Sequence, residues 1–163
     1  MIQLYRFIFV VGILVTQFTL FPRFNFGVWE PDLLLIITIT LGMFYGIEAG
    51  CISGLILGIL SDASLGVLLG AKALAWVQSG FIAGIVGDKV FIDRTSMQIM
   101  IIAFCAMIAG TFQAIFYNIS TFQQSLGTLL TTTLIQTIIN ALVAIPMIAI
   151  LRKIHWIPDT KNA

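Results

Sequence analysis

The sequence predicts an all-α integral membrane protein, a bundle of six transmembrane helices forming one domain over residues 1–163. Three observations carry this. Hydrophobic residues make up 60% of the chain and charged residues 9%, with a mean hydropathy of +1.08; a soluble domain carries about 25% charged residues. A fold of this length has too little interior to hide that much apolar surface from water. The apolar residues fall into runs of membrane-spanning length. Within one of them a glycine returns every fourth position: Gly42, Gly46, Gly50, Gly54 and Gly58. In water each helix-interior glycine costs up to about 1 kcal/mol relative to alanine. In a membrane the same spacing lets helix backbones approach closely.

The first span runs from about Leu4 to Phe21, where Pro22 and Arg23 stop it. No small-x-small cleavage pattern follows, so it reads as a retained helix rather than a signal peptide. The stretch from Leu33 to Leu60 is too long for one span. As a single helix it would reach about 42 Å, well beyond a hydrocarbon core of about 30 Å. It would also set Glu48 near the bilayer centre, where an unpaired charge is costly. A split near Gly46–Glu48 gives two short helices, both shorter than a standard span, and returns Glu48 to a surface. The remaining spans run over about Ala71–Gly87, Met97–Tyr117 and Leu126–Leu151. Pro146 in the last would kink it, or Asn140 and Thr137 would help to satisfy the freed carbonyls.

Orientation follows the basic residues. Six spans put Arg6, Lys89, Arg94, Arg152, Lys153 and Lys161 on one side and leave Arg23 and Lys72 on the other. The expectation is a multi-pass membrane protein with both termini cytoplasmic. A five-span chain would split the basic residues between the two sides, so charge and length favour the same division. A net charge of +1 gives no sign of a nucleic-acid partner.

Few polar residues punctuate the spans. Asp62 closes the third, in Leu60-Ser61-Asp62-Ala63-Ser64-Leu65-Gly66, and Gly70-Ala71-Lys72 follows. Asp62 reads either as a carboxylate paired with Lys72 at the outer mouth or as a turn residue capping backbone groups with Ser64. Glu30-Pro31-Asp32 precedes the second span. Proline and acids suit a helix start; the same residues would serve as an extracytoplasmic contact point. Trp29 and Trp156 read as interfacial anchors. Gln113, Asn118, Gln136 and Asn140 are suited to interhelical hydrogen bonds or to a small polar lining. Cys51 and Cys105 read as small hydrophobes. His155, beside Lys153 and Trp156, reads as an interface residue.

No catalytic arrangement emerges. The chain has no phosphate-binding glycine loop, no plausible Ser/His/Asp set and no metal-ligand spacing. The spans are nearly free of ionisable groups, which disfavours an intramembrane enzyme or an ion pump. No cofactor is expected.

The order of these marks resembles the MreD family, the small membrane subunit of the bacterial rod-shape machinery. A first span leads to Pro31-Asp32. A glycine-laddered hairpin leads to Leu60-Ser61-Asp62-x-x-x-Gly66, and Gly70-Ala71-Lys72-Ala73-Leu74 opens a span carrying Gly80 and Gly84. The resemblance implies a non-enzymatic scaffold of the elongation complex, acting in peptidoglycan synthesis and cell-shape control. Its partners would be an MreC-like bitopic protein, a RodA-type glycosyltransferase with a penicillin-binding transpeptidase and, indirectly, MreB filaments. On this reading Pro31, Asp32, Gly46, Gly50, Gly54, Gly58, Asp62, Gly66 and Lys72 are the candidate partner-binding residues. The ladder serves either a partner helix or the bundle's own packing.

The family's fold is also similar to the S component of energy-coupling-factor vitamin transporters. The alternative function is therefore a small-molecule-binding carrier subunit. It would need a pocket drawn from Trp76, Gln78, Gln113, Tyr117 and Asn118.

Overall fold

The computed structural model describes residues 10–20, 31–65, 70–89, 95–121 and 126–153. These residues form six helices and no strand. The first, α1, is Val10–Thr19, and it passes into a π-helical segment, Thr16–Leu20. Then come α2 (Leu33–Tyr45), α3 (Ile47–Leu65), α4 (Ala71–Lys89), α5 (Thr95–Thr121) and α6 (Leu126–Lys153). Three of the six, α3, α5 and α6, are long and apolar enough to cross a membrane; α1, α2 and α4 are shorter apolar helices.

The break expected between Gly46 and Glu48 is present. Tyr45 ends α2, Gly46 turns with φ 89° and ψ −180°, and Ile47 opens α3. That φ/ψ pair lies in a region essentially reserved for glycine. Glu48 is exposed, in the first turn of α3, where a carboxylate complements the helix's positive end.

The two halves are not both short, however. At 13 residues α2 reaches about 20 Å, but α3 has 19 residues and continues through Ser61 and Asp62 to Leu65. The acid does not stop the helix, because its carboxylate is satisfied from outside α3, as described below. Ser64 turns back on its own helix, its hydroxyl donating to Leu60 O at 2.8 Å.

The interior is built from small and polar residues together with one apolar cluster. α4 is the hub, packing on α3 most extensively and also on α2 and α5; α6 lies on α5 and touches α2. The apolar cluster centres on α2, where Leu34–Ile37 and Ile39 are almost wholly enclosed, with Trp76, Ile102, Cys105, Ile148 and Leu151 around them. Large apolar side chains also point outward. Leu130, Leu134, Ile138 and Leu142 form an exposed stripe at four-residue spacing on α6, and Ile52, Leu55, Ile56, Ile59 and Leu60 form a second along one face of α3. A water-facing surface would not carry such bands; a lipid-facing one does. The chain is a helical membrane protein.

Pro146 lies inside a continuous α6. Neither expected helper serves its freed carbonyl. Thr137 donates to Thr133 O at 2.8 Å, and Asn140 turns to α2. Both cysteines are free; Cys105 is buried and Cys51 half-buried.

Candidate partner-docking site

The candidate residues sort into three structural groups. The first is the glycine ladder. A Cβ on Gly42 would stand 2.5 Å from Gly80 O, and one on Gly50 would press on the same carbonyl. A Cβ on Gly54 would lie 2.7 Å from the Trp76 carbonyl, and one on Gly58 would strike the Ala73 backbone. Gly84 and Gly87 of α4 answer from the other side, against Ile47 and Met43. The ladder is thus occupied by α4 from end to end. Another protein's helix would reach Gly50, Gly54 or Gly58 only by displacing α4. Gly46 differs, since nothing lies within 4 Å of its added Cβ; its backbone, and not its size, is what the turn uses.

The second group is the α3–α4 corner. Asp62, 0% exposed, projects from the last turn of α3 onto the N-terminus of α4. Its carboxylate accepts from Gly70 N–H at 2.8 Å, from Lys72 N–H at 3.2 Å and from Ala73 N–H at 3.4 Å. Those are N–H groups the first turn of a helix cannot bond internally. Gly70, with φ 104°, gives the chain the left-handed step that brings them round. Lys72 therefore meets Asp62 through its backbone. Its ammonium goes elsewhere, donating to Ser61 Oγ at 3.3 Å and lying 5.8 Å from the Trp76 ring centroid. Of the two readings of Asp62 the sequence offers, the structure has the carboxylate capping backbone groups, and not paired with the Lys72 ammonium. Gly66 lies outside the described residues.

The third group is a clasp joining α1, α2 and α6. Pro31 and Asp32 lead into α2, and Asp32 is 4% exposed. Gln17, in the π-helical segment, donates its amide to Pro31 O and Asp32 Oδ1, both at 3.2 Å, and accepts from Leu33 N–H at 3.1 Å. Asn140, 1% exposed on α6, accepts from Asp32 N–H at 2.8 Å. Three helices are tied at one turn, and every bond passes through an amide or a backbone group.

Sequence reasoning placed Asp32 and Asn140 among the polar residues that matter but did not join them, and it missed Gln17. The signal available was an amide inside an otherwise apolar span. Between α1, α2 and α3 an open apolar groove is lined by Val10, Ile37, Leu41, Ala49, Ile52 and Leu57.

The pocket needed for a carrier does not assemble from its described members. Trp76 is fully enclosed under Gly54, its indole N–H without an acceptor, while Gln78 is exposed one residue pair further along α4. Gln113 is buried on α5; the side chains of Tyr117 and Asn118 lie outside the described residues. Among the described residues no three His, Cys, Asp or Glu side chains stand together as metal ligands.

The model for rod shape-determining protein MreD matches residues 1–155 of the 163. The chain belongs to the MreD family. The match runs from α1 through the end of α6, so the clasp, the ladder and the α3–α4 corner all fall inside the MreD region. Neither a curated protein nor a solved structure matches the chain. The likeness to S components therefore rests on the sequence reading alone, whereas membership of MreD assigns the chain to rod-shape determination.

Proposed function

We propose that the chain is a non-enzymatic scaffold subunit of the elongation complex. It binds an MreC-like bitopic protein and so helps couple MreB filaments to a RodA-type glycosyltransferase and a penicillin-binding transpeptidase. The family match over residues 1–155 carries this reading. The way the polar residues are used supports it: Asp62 caps a helix, Gln17 and Asn140 tie helices together, and Arg152 donates to Gln98 at 3.0 Å. Large apolar side chains form bands on the outward surface, suited to lipid and to other membrane helices.

The same reading places all six helices across the bacterial inner membrane with both termini cytoplasmic. The excess of basic residues on that side supports the arrangement. Pro31, Asp32 and Lys72 then belong to the extracytoplasmic half, near the base of the partner. The glycines act at one remove, by fixing the hairpin that sets the outer face of α3.

The test is a mild-detergent pull-down of the tagged protein from its native membrane, read by mass spectrometry. Recovery of an MreC-like bitopic protein together with wall-synthesis enzymes is expected. Recovery of a transmembrane coupling subunit with paired ATPases would defeat the scaffold reading and favour a carrier.

A further inference from the structure

A polar side chain that faces outward along a membrane helix needs a partner, because hydrocarbon supplies none. The exposed hydroxyls find theirs at home. Thr111 donates to Met107 O, and Thr131 to Gly127 O at 3.0 Å, each a carbonyl of its own helix four residues back. The amides are placed differently. Gln98, Gln113 and Asn140 are buried, and Gln17 and Gln136 are half-buried. Gln78 alone among the described amide side chains is exposed.

Gln78 is not at a mouth of the bundle. It lies within α4, Ala71–Lys89, roughly 10 Å or more along the axis from either end. The tightest part of the hairpin is level with it: Gly54 lies against Trp76 and Val77, and Gly50 against Gly80. Leu74 precedes Gln78 by one turn on the same face and Phe81 follows it by one, 53% and 45% exposed. Lys72, nearer the helix start, sends its ammonium to Ser61 Oγ and the Trp76 ring, so it sets no charge against this face.

The chemistry of the amide says what fits there. A glutamine carboxamide brings two donor hydrogens and an acceptor oxygen. Lipid tails satisfy neither, whereas a second carboxamide satisfies both kinds at once. Copies of one chain insert in the same orientation. On a two-fold axis along the membrane normal, the same residue of each copy therefore stands at the same depth. Gln78 on such an axis meets Gln78, and the two amides exchange reciprocal hydrogen bonds, the self-complementarity that an isologous contact requires. One amide in an otherwise apolar helix seam also fixes register.

We infer that the outward face of α4 is a dimer contact between two copies of this chain, with Gln78 paired to itself across the axis and Leu74 and Phe81 packed on either side of the pair. The inference rests on α4 crossing the membrane, as in the reading above. The other sides of α4 are taken by α2, α3 and α5, so the contact leaves the exposed stripe of α6 open to lipid or to a different partner.

The experiment uses the purified full-length chain in liposomes of phosphatidylethanolamine and phosphatidylglycerol. One pool carries a donor fluorophore on a terminal tag and the other an acceptor, and energy transfer is read as the protein is diluted in lipid. The parent should show transfer that falls on dilution. Gln78→Leu keeps the face apolar and removes the amide; it should move the midpoint about tenfold toward higher protein density, with thermal unfolding unchanged in dilute liposomes. Gln78→Asn keeps an amide and should fall between the two. Gln78→Cys should cross-link to its own copy on mild oxidation, above the background set by Cys51 and Cys105, and Ile138→Cys on the α6 stripe should not. A parent that stays monomeric, a Gln78→Leu protein that associates as the parent does, or cross-linking of Gln78→Cys to another protein in native membranes overturns the inference and leaves the scaffold reading standing. Labelling of Gln78→Cys by a membrane-impermeant maleimide, at the rate of a water-facing site, would show that α4 does not cross the membrane and would remove the six-span placement with it.

Discussion

Gly50 of α3 and Gly80 of α4 are in backbone contact, each occupying the space where the other's Cβ would stand. Gly42 of α2 shares the junction, with Gly80 O 2.5 Å from its own missing Cβ. Three helices therefore meet at three glycines. No side-chain rearrangement can make room there, because every obstructing atom is backbone.

Gly80→Ala should consequently cost more than overpacking a core usually does, at or above the upper end of about 1–3 kcal/mol. Gly50→Leu should prevent folding. Gly12→Ala is the matched control, since Gly12 is exposed on α1 with nothing within 4 Å of an added Cβ. Thermal unfolding in detergent checks all three. A stable Gly80→Ala protein would mean that α3 and α4 sit further apart than described.

Gly46→Ala isolates a different cause. The added methyl meets no atom, so any loss reflects the backbone at φ 89° and ψ −180°. That conformation costs a residue other than glycine about 1–3 kcal/mol. Gly46→Asn should not rescue it, since asparagine tolerates the left-handed helical region and this ψ lies outside it. Equal stability of the alanine, asparagine and parent proteins would show that the α2–α3 turn can relax.

The break at Gly46 was legible because two independent constraints met there. The Leu33–Leu60 run exceeded a bilayer, and Glu48 could not remain at its centre. The ladder was legible as close packing, but its partner was not. Spacing shows that a helix face is small, and only the fold shows that α4 covers it. The end of α3 was misplaced for an electrostatic reason: Asp62 looks like a stop signal until the N–H groups of Gly70, Lys72 and Ala73 are brought to it. Gln17 was the least legible. Its partners lie 14 to 16 residues away and include two backbone groups, which leave no side-chain pattern to read.

Asp62→Ala should release the start of α4. Removing the carboxylate leaves buried N–H groups unsatisfied, at about 1–3 kcal/mol, and also removes charge–dipole attraction at that helix end. Hydrogen exchange supplies the local readout: the amides of Gly70, Lys72 and Ala73 should lose protection before the rest of α4. Asp62→Asn keeps an acceptor oxygen and should fall between the alanine variant and the parent. Unaltered exchange at those three amides in Asp62→Ala would mean that another group caps the helix.

Gln17 of α1 and Asn140 of α6 hold adjacent residues of one turn, Gln17 through Leu33 N–H and Asn140 through Asp32 N–H. Each alone, changed to alanine, strands a backbone donor and should cost about 1–3 kcal/mol. Their effects should not add. Once either anchor is lost, the start of α2 can shift, and the second bond is worth less. Residues coupled through one backbone segment show interaction energies of about 0.5–3 kcal/mol, so the double variant should be more stable than the sum of the single losses implies. A double-mutant cycle on Gln17→Ala and Asn140→Ala, read by unfolding in nanodiscs, measures that coupling directly. Strict additivity would mean that α1 and α6 grip α2 independently, and the clasp would then be two separate contacts.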